Sequence, residues 1–320
     1  MNPPNAPSEY QTRVLPLSKA AVAEAALLIL EGEPVAVPTE TVYGLAADAT
    51  NADAVARIYA AKGRPSFNPL IVHVADVAAA ERLAIFSEAA RAVAAAFWPG
   101  PVTLVMPLRG GAGLARAVTA GLGTVALRCP AHPAMRALLE ACGRPLAAPS
   151  ANASGRISPV SVEHVLSTLS GRVKLILDDG RSEEGLESTI VRIDEAGVAL
   201  LRPGPMEIGD IAAVAGLAEA GAGGTIQAPG QMASHYAPAK PVRLNVREAA
   251  AGNWLIGFGA VEGDESLSPS GDLREAAANL FSALHRAEAK APERIAVAPI
   301  PEEGIGRAIN DRLRRAAAPR

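Results

Sequence analysis

The sequence predicts an α/β fold: a twisted mixed sheet flanked by helices, followed by a small C-terminal α/β domain. Three observations predict it. Short apolar runs alternate with helical periodicities along most of the chain, the pattern of a layered α/β protein. The runs at 188–193 and 198–202 are joined too tightly for a crossover helix, so the sheet is mixed rather than purely parallel. From about Ala215 to Pro241, glycine and proline remove all periodicity, and a strand–helix pattern resumes at Val242.

The elements follow in order. Ser18 is placed as an N-cap, and the helix after it is expected to bury Val22, Ala26, Leu27 and Leu30 and to end at Gly32. Val35-Ala36-Val37 is a strand. Asn51 caps a helix carrying Ala54, Val55, Ile58 and Tyr59 on one face, stopped by Gly63 and Pro65, and Leu70 to Val74 is a buried strand. Helices are expected over 77–85 and 87–98, strands over 103–108 and 124–128, and an amphipathic helix over 133–141 with proline in its first turn. Arg109 to Leu122 reads as a loop with some helix. A helix over 160–169 and strands at 175–177, 188–193 and 198–202 complete the first unit. Beyond the break, strands at 242–246, 254–258 and 294–300 alternate with helices over 273–289 and 302–318, the last with basic residues late in it as the helix dipole favours. The expected division is therefore a disordered tail over 1–12, a main domain over 13–207, a linker or lid over 208–241 and a small domain over 242–320.

Composition narrows the function. Of 320 residues, 49% are apolar, enough for a sizeable core, while aromatics are 3% and the formal net charge is −3. Neither a base-stacking surface for single-stranded nucleic acid nor a global basic footprint is present. Any anion site must be a local cluster. Cys129 and Cys142 form no metal spacing and no disulfide framework, a usage that fits a reducing cytoplasm. Met1 to Pro16 lacks the apolar core of a signal peptide, and no apolar run approaches the ~20 residues that span a bilayer.

Four stretches carry chemistry. Lys62, Arg64, Asn68 and His73 are packed into one helix-to-strand passage, and two cations, an amide and an imidazole at that density suit a nucleotide phosphate tail. Lysine at a helix C-terminus also complements the dipole without any ligand. Pro38 to Leu45 leaves a strand end with two hydroxyls, a carboxylate and a glycine, where ligand-binding groups tend to sit. Pro149-Ser150-Ala151-Asn152-Ala153-Ser154-Gly155 offers small residues and neutral hydrogen bonds, though taken alone it reads first as a common Ser/Asn-rich turn. Ser234-His235-Tyr236-Ala237-Pro238 is too rich in hydrogen-bonding side chains for a pure spacer, and reads either as a segment docked on the first domain or as a solvated loop. Arg128 and Arg202 both stand where a strand gives way to a loop. No P-loop, H-E-x-x-H, EF-hand or G-x-S-x-G pattern occurs, and Gly257-Phe258-Gly259 with Gly263 misses the dinucleotide fingerprint by one position.

Together, Pro38 to Leu45, Lys62-Gly63-Arg64-Pro65, Asn68-Pro69-Leu70, His73, Pro149 to Asn152, Ser188-Thr189 and Arg202-Pro203-Gly204 resemble the YrdC-like family. With the linker motif at 234–238, the resemblance is to its long, two-domain form, the threonylcarbamoyl-AMP synthases, whose C-terminal domain has a Rossmann-like strand–helix pattern. The resemblance implies that ATP, L-threonine and bicarbonate give threonylcarbamoyl-AMP, pyrophosphate and water, with Mg²⁺ accompanying ATP. The product would feed N6-threonylcarbamoylation of adenosine in tRNA through a separate transferase. It implies threonine contacts at Thr41, His73, Arg128, Ala148 (through its backbone) and Ser188. It implies ATP contacts at Arg64, Asn68, Thr124, Ser150, Ser158, Arg202 and Tyr236, with Lys62 and Asn152 touching phosphates or carboxylate. Lys62, Arg64 and His73 would serve the chemistry, with positioning rather than a strong general base as the main device, and the linker bearing Tyr236 would act as a lid. Two other readings stand beside it: a double-stranded RNA or ribosome-associated binding module using the same basic cavity, against which charge and scarce aromatics count, and carbamoyl-adenylate formation as in hydrogenase-maturation proteins, whose cysteine-rich zinc segments have no counterpart here.

Overall fold

A computed structural model describes residues 10–223, 227–230 and 234–319. Along the chain come β1 (Arg13–Pro16), α1 (Lys19–Leu30), β2 (Val35–Val37), β3 (Gly44–Asp48), α2 (Ala52–Lys62), β4 (Ile71–His73), α3 (Val77–Glu81), α4 (Glu88–Phe97) and β5 (Val102–Pro107). Then follow β6 (Thr124–Arg128), α5 (Pro133–Cys142), β7 (Leu146–Ala147), α6 (Val162–Leu169), β8 (Leu175–Asp178), β9 (Thr189–Asp194), β10 (Gly197–Arg202), α7 (Ile208–Ala215) and β11 (Glu219–Ala220). The remainder is β12 (Val242–Arg243), β13 (Asn253–Gly257), β14 (Glu265–Ser266), α8 (Leu273–Ala289), β15 (Arg294–Val297) and α9 (Gly306–Ala317).

The first eleven strands form one sheet in the order β1-β8-β2-β3-β7-β4-β6-β5-β9-β10-β11. It is mixed: β4 and β6 run parallel, β5 and β6 antiparallel, and β9 and β10 form the tight hairpin that their short connection requires. One face is apolar throughout. Leu45, Val72, Leu104, Val125, Leu127 and Val191 pack there with the core-facing residues of α2, α4, α6 and α7. The opposite face divides in two. Over β2, β3, β7 and β8 it is covered by α1 and α5, through Ala21, Ala25, Ile29, Met135 and Leu138. Over β4, β6 and β9 the helices leave it open, and a small apolar group including Ile71, Ala126, Ile190 and Leu201 lies beside a cavity.

Local chemistry explains the boundaries. The Ser18 hydroxyl caps α1 by accepting from Ala21 N, and the Asn51 side chain caps α2 by accepting from Asp53 N and Ala54 N. Gly63 ends α2 in the left-handed region at φ 60°. Leu27 and Leu30, expected to be buried, are 62% and 47% exposed. The buried stripe of α1 is instead Ala21, Val22, Ala25, Ala26 and Ile29, whose small alanines let α1 lie close to α5. The loop at 109–122 forms no helix, and the last helix begins at Gly306 rather than 302, after Gly304 in a positive-φ turn.

The second sheet is parallel, in the order β12-β15-β13-β14, with α8 and α9 packed on it around Leu280, Phe281, Ile295, Val297, Ile309 and Leu313. β14 had no counterpart in the sequence reading. The segment expected as a linker over 208–241 opens with regular structure. Ile208–Ala215 is helical, Ile211 is fully buried, and β11 pairs with β10, because Ile208, Ile211 and Ala212 supply an apolar stripe that completes the main core. Of the tail expected over 1–12, residues 1–9 lie outside the described residues, while Tyr10 N and Thr12 Oγ1 donate to the carbonyls of Gly171 and Val173.

The two units share a core. Val42, Ile157, Val160, Leu186 and Tyr236 pack with residues of the second sheet and its helices. Arg156 pairs with Glu288 at 2.6 Å, and Arg181 Nη2 donates to the Ala278 carbonyl at 2.6 Å. Among the described residues no helix is long and apolar enough to cross a membrane.

Candidate active site

The cavity lies on the open half of the sheet, roofed by the linker. Its empty volume is about 530 Å³, counted out through the open mouth into solvent. Side-chain alternation along the strands builds its floor. Ile71 and His73 of β4 share a face with Ala126 and Arg128 of β6, and His73 and Arg128 are register partners in that parallel pair. Thr41 and Gly44 enter ahead of and at the start of β3, Ala148 to Ser150 leave β7, and Ser188 precedes β9. Arg202 ends β10, and Pro229, Gly230, His235 and Tyr236 close the roof.

Arg64, Arg128 and Arg202 are 9%, 3% and 4% exposed, so three guanidinium groups are gathered in a largely desolvated space. Arg128 is compensated: Nη2 lies 2.6 Å from Glu40 Oε1, Nη1 donates to Thr41 Oγ1 at 2.8 Å, and Nε donates to the Gly100 carbonyl. Burial raises the Glu40 carboxyl, but Arg128 and the Ala131 N–H outweigh it and hold its pKa below the usual range. Arg64 donates to the carbonyls of Asn68 and Pro69. Arg202 donates to the carbonyl and hydroxyl of Ser188. Among the described residues no carboxylate lies within ion-pair distance of either, since Glu40 is taken by Arg128 and Glu187 by Arg312. Burial pulls the Arg64 pKa down to about 10 and lowers that of Arg202. Uncompensated buried cations of this kind are stabilised by a bound polyanion.

Among the described residues, His73 Nδ1, His235 Nδ1 and the Tyr236 hydroxyl are buried with no hydrogen-bond partner. All three residues line the cavity, where buried polar atoms call for a ligand's donors and acceptors. Burial, reinforced by Arg128, lowers the His73 pKa to about 3, so the imidazole is neutral at physiological pH. Tyr236 takes a left-handed backbone at φ 61°, rare for an aromatic residue. The Gly230 backbone presses on it: a Cβ there would stand 3.0 Å from the Tyr236 hydroxyl and 2.7 Å from Arg202 Cδ.

Of the residues expected at the site, Thr41, Arg64, His73, Arg128, Ala148, Ser150, Ser188, Arg202 and Tyr236 line the cavity. Five do not. Lys62 Nζ is turned to the carbonyls of Ser150 and Asn152 and to Asn152 Oδ1, and burial together with Arg64 lowers its pKa well below the ordinary lysine value. Asn152 is 1% exposed, its side chain bonded to Lys62, Ser150 and the Arg156 carbonyl. Asn68 is buried with its backbone carbonyl accepting from Arg64 Nε, and the Ser158 hydroxyl is given to Glu187 Oε1. Thr124 opens β6, on the same face as Arg128 but at the strand's far end. Sequence reasoning assigned no role to Glu40, Glu187, His235 or Arg312. For Arg312 a signal existed: Ile305, Ala308, Ile309, Leu313 and Ala316 form the apolar stripe of the last helix, and position 312 falls within it.

The described residues of the cavity offer no cage for a resident metal. Among the described residues no group of three or more His, Cys, Asp or Glu is placed to hold an ion; the Glu187 carboxylate at the cavity wall is engaged by Arg312, and Glu40 nearby by Arg128.

Two family models cover the chain: one described as "Telomere recombination" matches residues 27–204, and one described as "Threonylcarbamoyl-AMP synthase, C-terminal domain" matches 206–318. A threonylcarbamoyl-AMP synthase of Bacillus subtilis is 40% identical over 93% of this chain and 93% of its own length. A crystal structure of Pyrococcus abyssi Sua5 complexed with L-threonine is 37% identical, with a TM-score of 0.86 over 96% of this chain and 97% of that one. A doubly substituted variant of the same Pyrococcus protein is 36% identical, with a TM-score of 0.88 over 96% of both chains. The chain therefore belongs to the two-domain threonylcarbamoyl-AMP synthase family, a family of nucleotidyltransferase enzymes.

Proposed function

We propose that the cavity binds L-threonine and ATP side by side and, with bicarbonate, forms threonylcarbamoyl-AMP, pyrophosphate and water. The carrying observation is the convergence of Arg64, Arg202, Arg128, His73, Ser150 and Ser188, distant in sequence, on one buried hollow. Arg128, Thr41, Ser188, neutral His73 and the Ala148 backbone would hold threonine at the Glu40 side. Arg64, Ser150, Arg202 and Tyr236 would hold the triphosphate, with Thr124 farther along the same open face. Asn68, Lys62, Asn152 and Ser158 would serve ATP from behind, by holding the groups that touch it. The threonine complex of the Pyrococcus relative supports the amino-acid half of this reading.

In the reaction, the threonine amine attacks the bicarbonate carbon and water is lost. A carbamate oxygen then attacks the α-phosphorus, and pyrophosphate leaves. Arg64 and Arg202 stabilise the charge that grows on the phosphate oxygens. His73, neutral, orients threonine rather than acting as a strong base. Co-binding lowers the barrier by up to ~7–11 kcal/mol in ideal cases, and enclosure protects a carbamate that loses CO₂ in water. Mg²⁺ is expected to arrive with ATP, held by the phosphates.

Residues 13–207 would form the catalytic domain, 242–320 the C-terminal domain, and the segment after β11 a lid. The product would be consumed in the cytoplasm by a separate transferase that modifies adenosine in tRNA. A duplex-RNA module finds no support in the geometry, because the cations are buried in a concavity instead of spread over a surface that a duplex could meet. The test is pyrophosphate release with each substrate omitted in turn. Release is expected only with ATP, threonine and bicarbonate together.

A further inference from the structure

Arg312 sits in α9, in the C-terminal unit, yet it is 0% exposed. Its guanidinium reaches into the wall of the cavity built by the other unit. Nε donates to Glu187 Oε2 at 2.8 Å and Nη2 to the Glu187 carbonyl at 3.5 Å. The guanidinium carbon lies 5.1 Å from the centre of the Tyr236 ring, and Nη1 is held by Asp311. Glu187 and Tyr236 both line the cavity.

The Glu187 carboxylate is thus held at both oxygens, by Arg312 and by the Ser158 hydroxyl. Arg202 stands close enough to help lower the Glu187 pKa, after Arg312, against the burial that raises it. Its N–H groups nevertheless go to Ser188 and not to that carboxylate. Opposite charges in a desolvated space attract strongly. A Glu187 released from Arg312 would turn to Arg202 and neutralise it.

We propose that Arg312 is a positioning residue for the phosphate end of the cavity: by capturing Glu187 it keeps Arg202 uncompensated and available to a nucleoside triphosphate. This rests on the reading of the cavity as an ATP site. It makes the C-terminal unit a working part of that site, because the charge that α9 supplies decides what the arginine at the end of β10 can bind.

The test uses equilibrium dissociation constants for ATP and L-threonine, measured by calorimetry on the full chain and on Arg312→Gln, Glu187→Gln and the double variant. In Arg312→Gln the ATP constant is expected to rise by about tenfold or more while the threonine constant moves by less than about threefold. In the double variant, where neither charge is left to mispair, ATP binding returns to within about threefold of wild type. If ATP and threonine weaken together in Arg312→Gln, or if adding Glu187→Gln restores nothing, Arg312 is only a strut between the units and the inference fails. Should Arg312→Gln not fold, the double variant carries the test alone, and a loss of about tenfold in ATP binding there overturns the proposal. Wild-type protein that binds no ATP overturns the ATP reading along with this inference. Wild-type binding with an unaffected Arg312→Gln overturns the inference alone.

Discussion

Lys62 and Asn152 are locked together: the lysine ammonium donates to the Asn152 carbonyl at 2.5 Å and reaches its side-chain oxygen at 3.3 Å, with the Ser150 carbonyl as a third acceptor. The cation at the end of α2 is therefore a brace for the loop that carries Ser150 to the cavity. Replacing it by methionine leaves buried carbonyls without a donor. Each unsatisfied group costs ~1–3 kcal/mol. Lys62→Met is expected to lower stability by that order in urea unfolding and to weaken ATP binding by displacing Ser150. Unchanged stability would show that the brace is dispensable.

Arg64 faces the cavity without a carboxylate partner among the described residues, so its loss should be felt in the reaction more than in the fold. Arg64→Ala is expected to reduce pyrophosphate release by ~10²–10³-fold, the scale for removing one group that stabilises developing charge. Circular dichroism should stay native. A variant with near wild-type turnover would remove this arginine from the account.

Stability should fall on mild acidification. Burial holds His73 and His235 at pKa values of about 3, so both are neutral in the fold. The unfolded chain takes up their protons below the ordinary value of 6.5, which favours unfolding as pH drops from there toward 3. The maximum slope is ~1.4 kcal/mol per pH unit for each group. Glu40 and Glu187, whose folded pKa values are depressed, contribute stability above 4.5 that is lost as pH falls through their folded values. Melting temperatures from pH 7.5 to 5 should decline in the wild type and decline less in His235→Asn. Parallel curves would contradict the burial argument.

The two units are fitted at Gly185. Its φ is 68°, and a Cβ there would stand 2.5 Å from the Cα and carbonyl oxygen of Ala278 in α8. Gly185→Ala forces the units apart or strains the turn, at a cost of ~1–3 kcal/mol. Since Glu187 lies two residues away, the same substitution should also weaken ATP binding. Urea unfolding and ATP titration check both effects.

Much of this was legible in the sequence because it rests on local rules. Ser18 and Asn51 announce their helices, and the connection between β9 and β10 allows only a hairpin. The cavity's arginines were legible through motif resemblance. What escaped depends on contacts between distant segments. Leu27 and Leu30 fit a helical stripe as well as Ala25 and Ile29 do, and only the placement of α5 decides which face is buried. The partners of Lys62 and Ser158, Asn152 and Glu187, are far from them along the chain, so no local rule announces those hydrogen bonds. Arg312 carries no motif, although its place in the apolar stripe of the last helix marks it as buried.

The central claim is that one chamber couples threonine, bicarbonate and ATP. The most direct measurement is mass-spectrometric detection of the adenylate after incubation with ATP and bicarbonate, with threonine, serine or no amino acid, in wild type and Arg64→Ala. Threonylcarbamoyl-AMP and matching pyrophosphate are expected only in wild type with all three substrates present. ATP turnover that proceeds without threonine, or product formed equally well by Arg64→Ala, would contradict it.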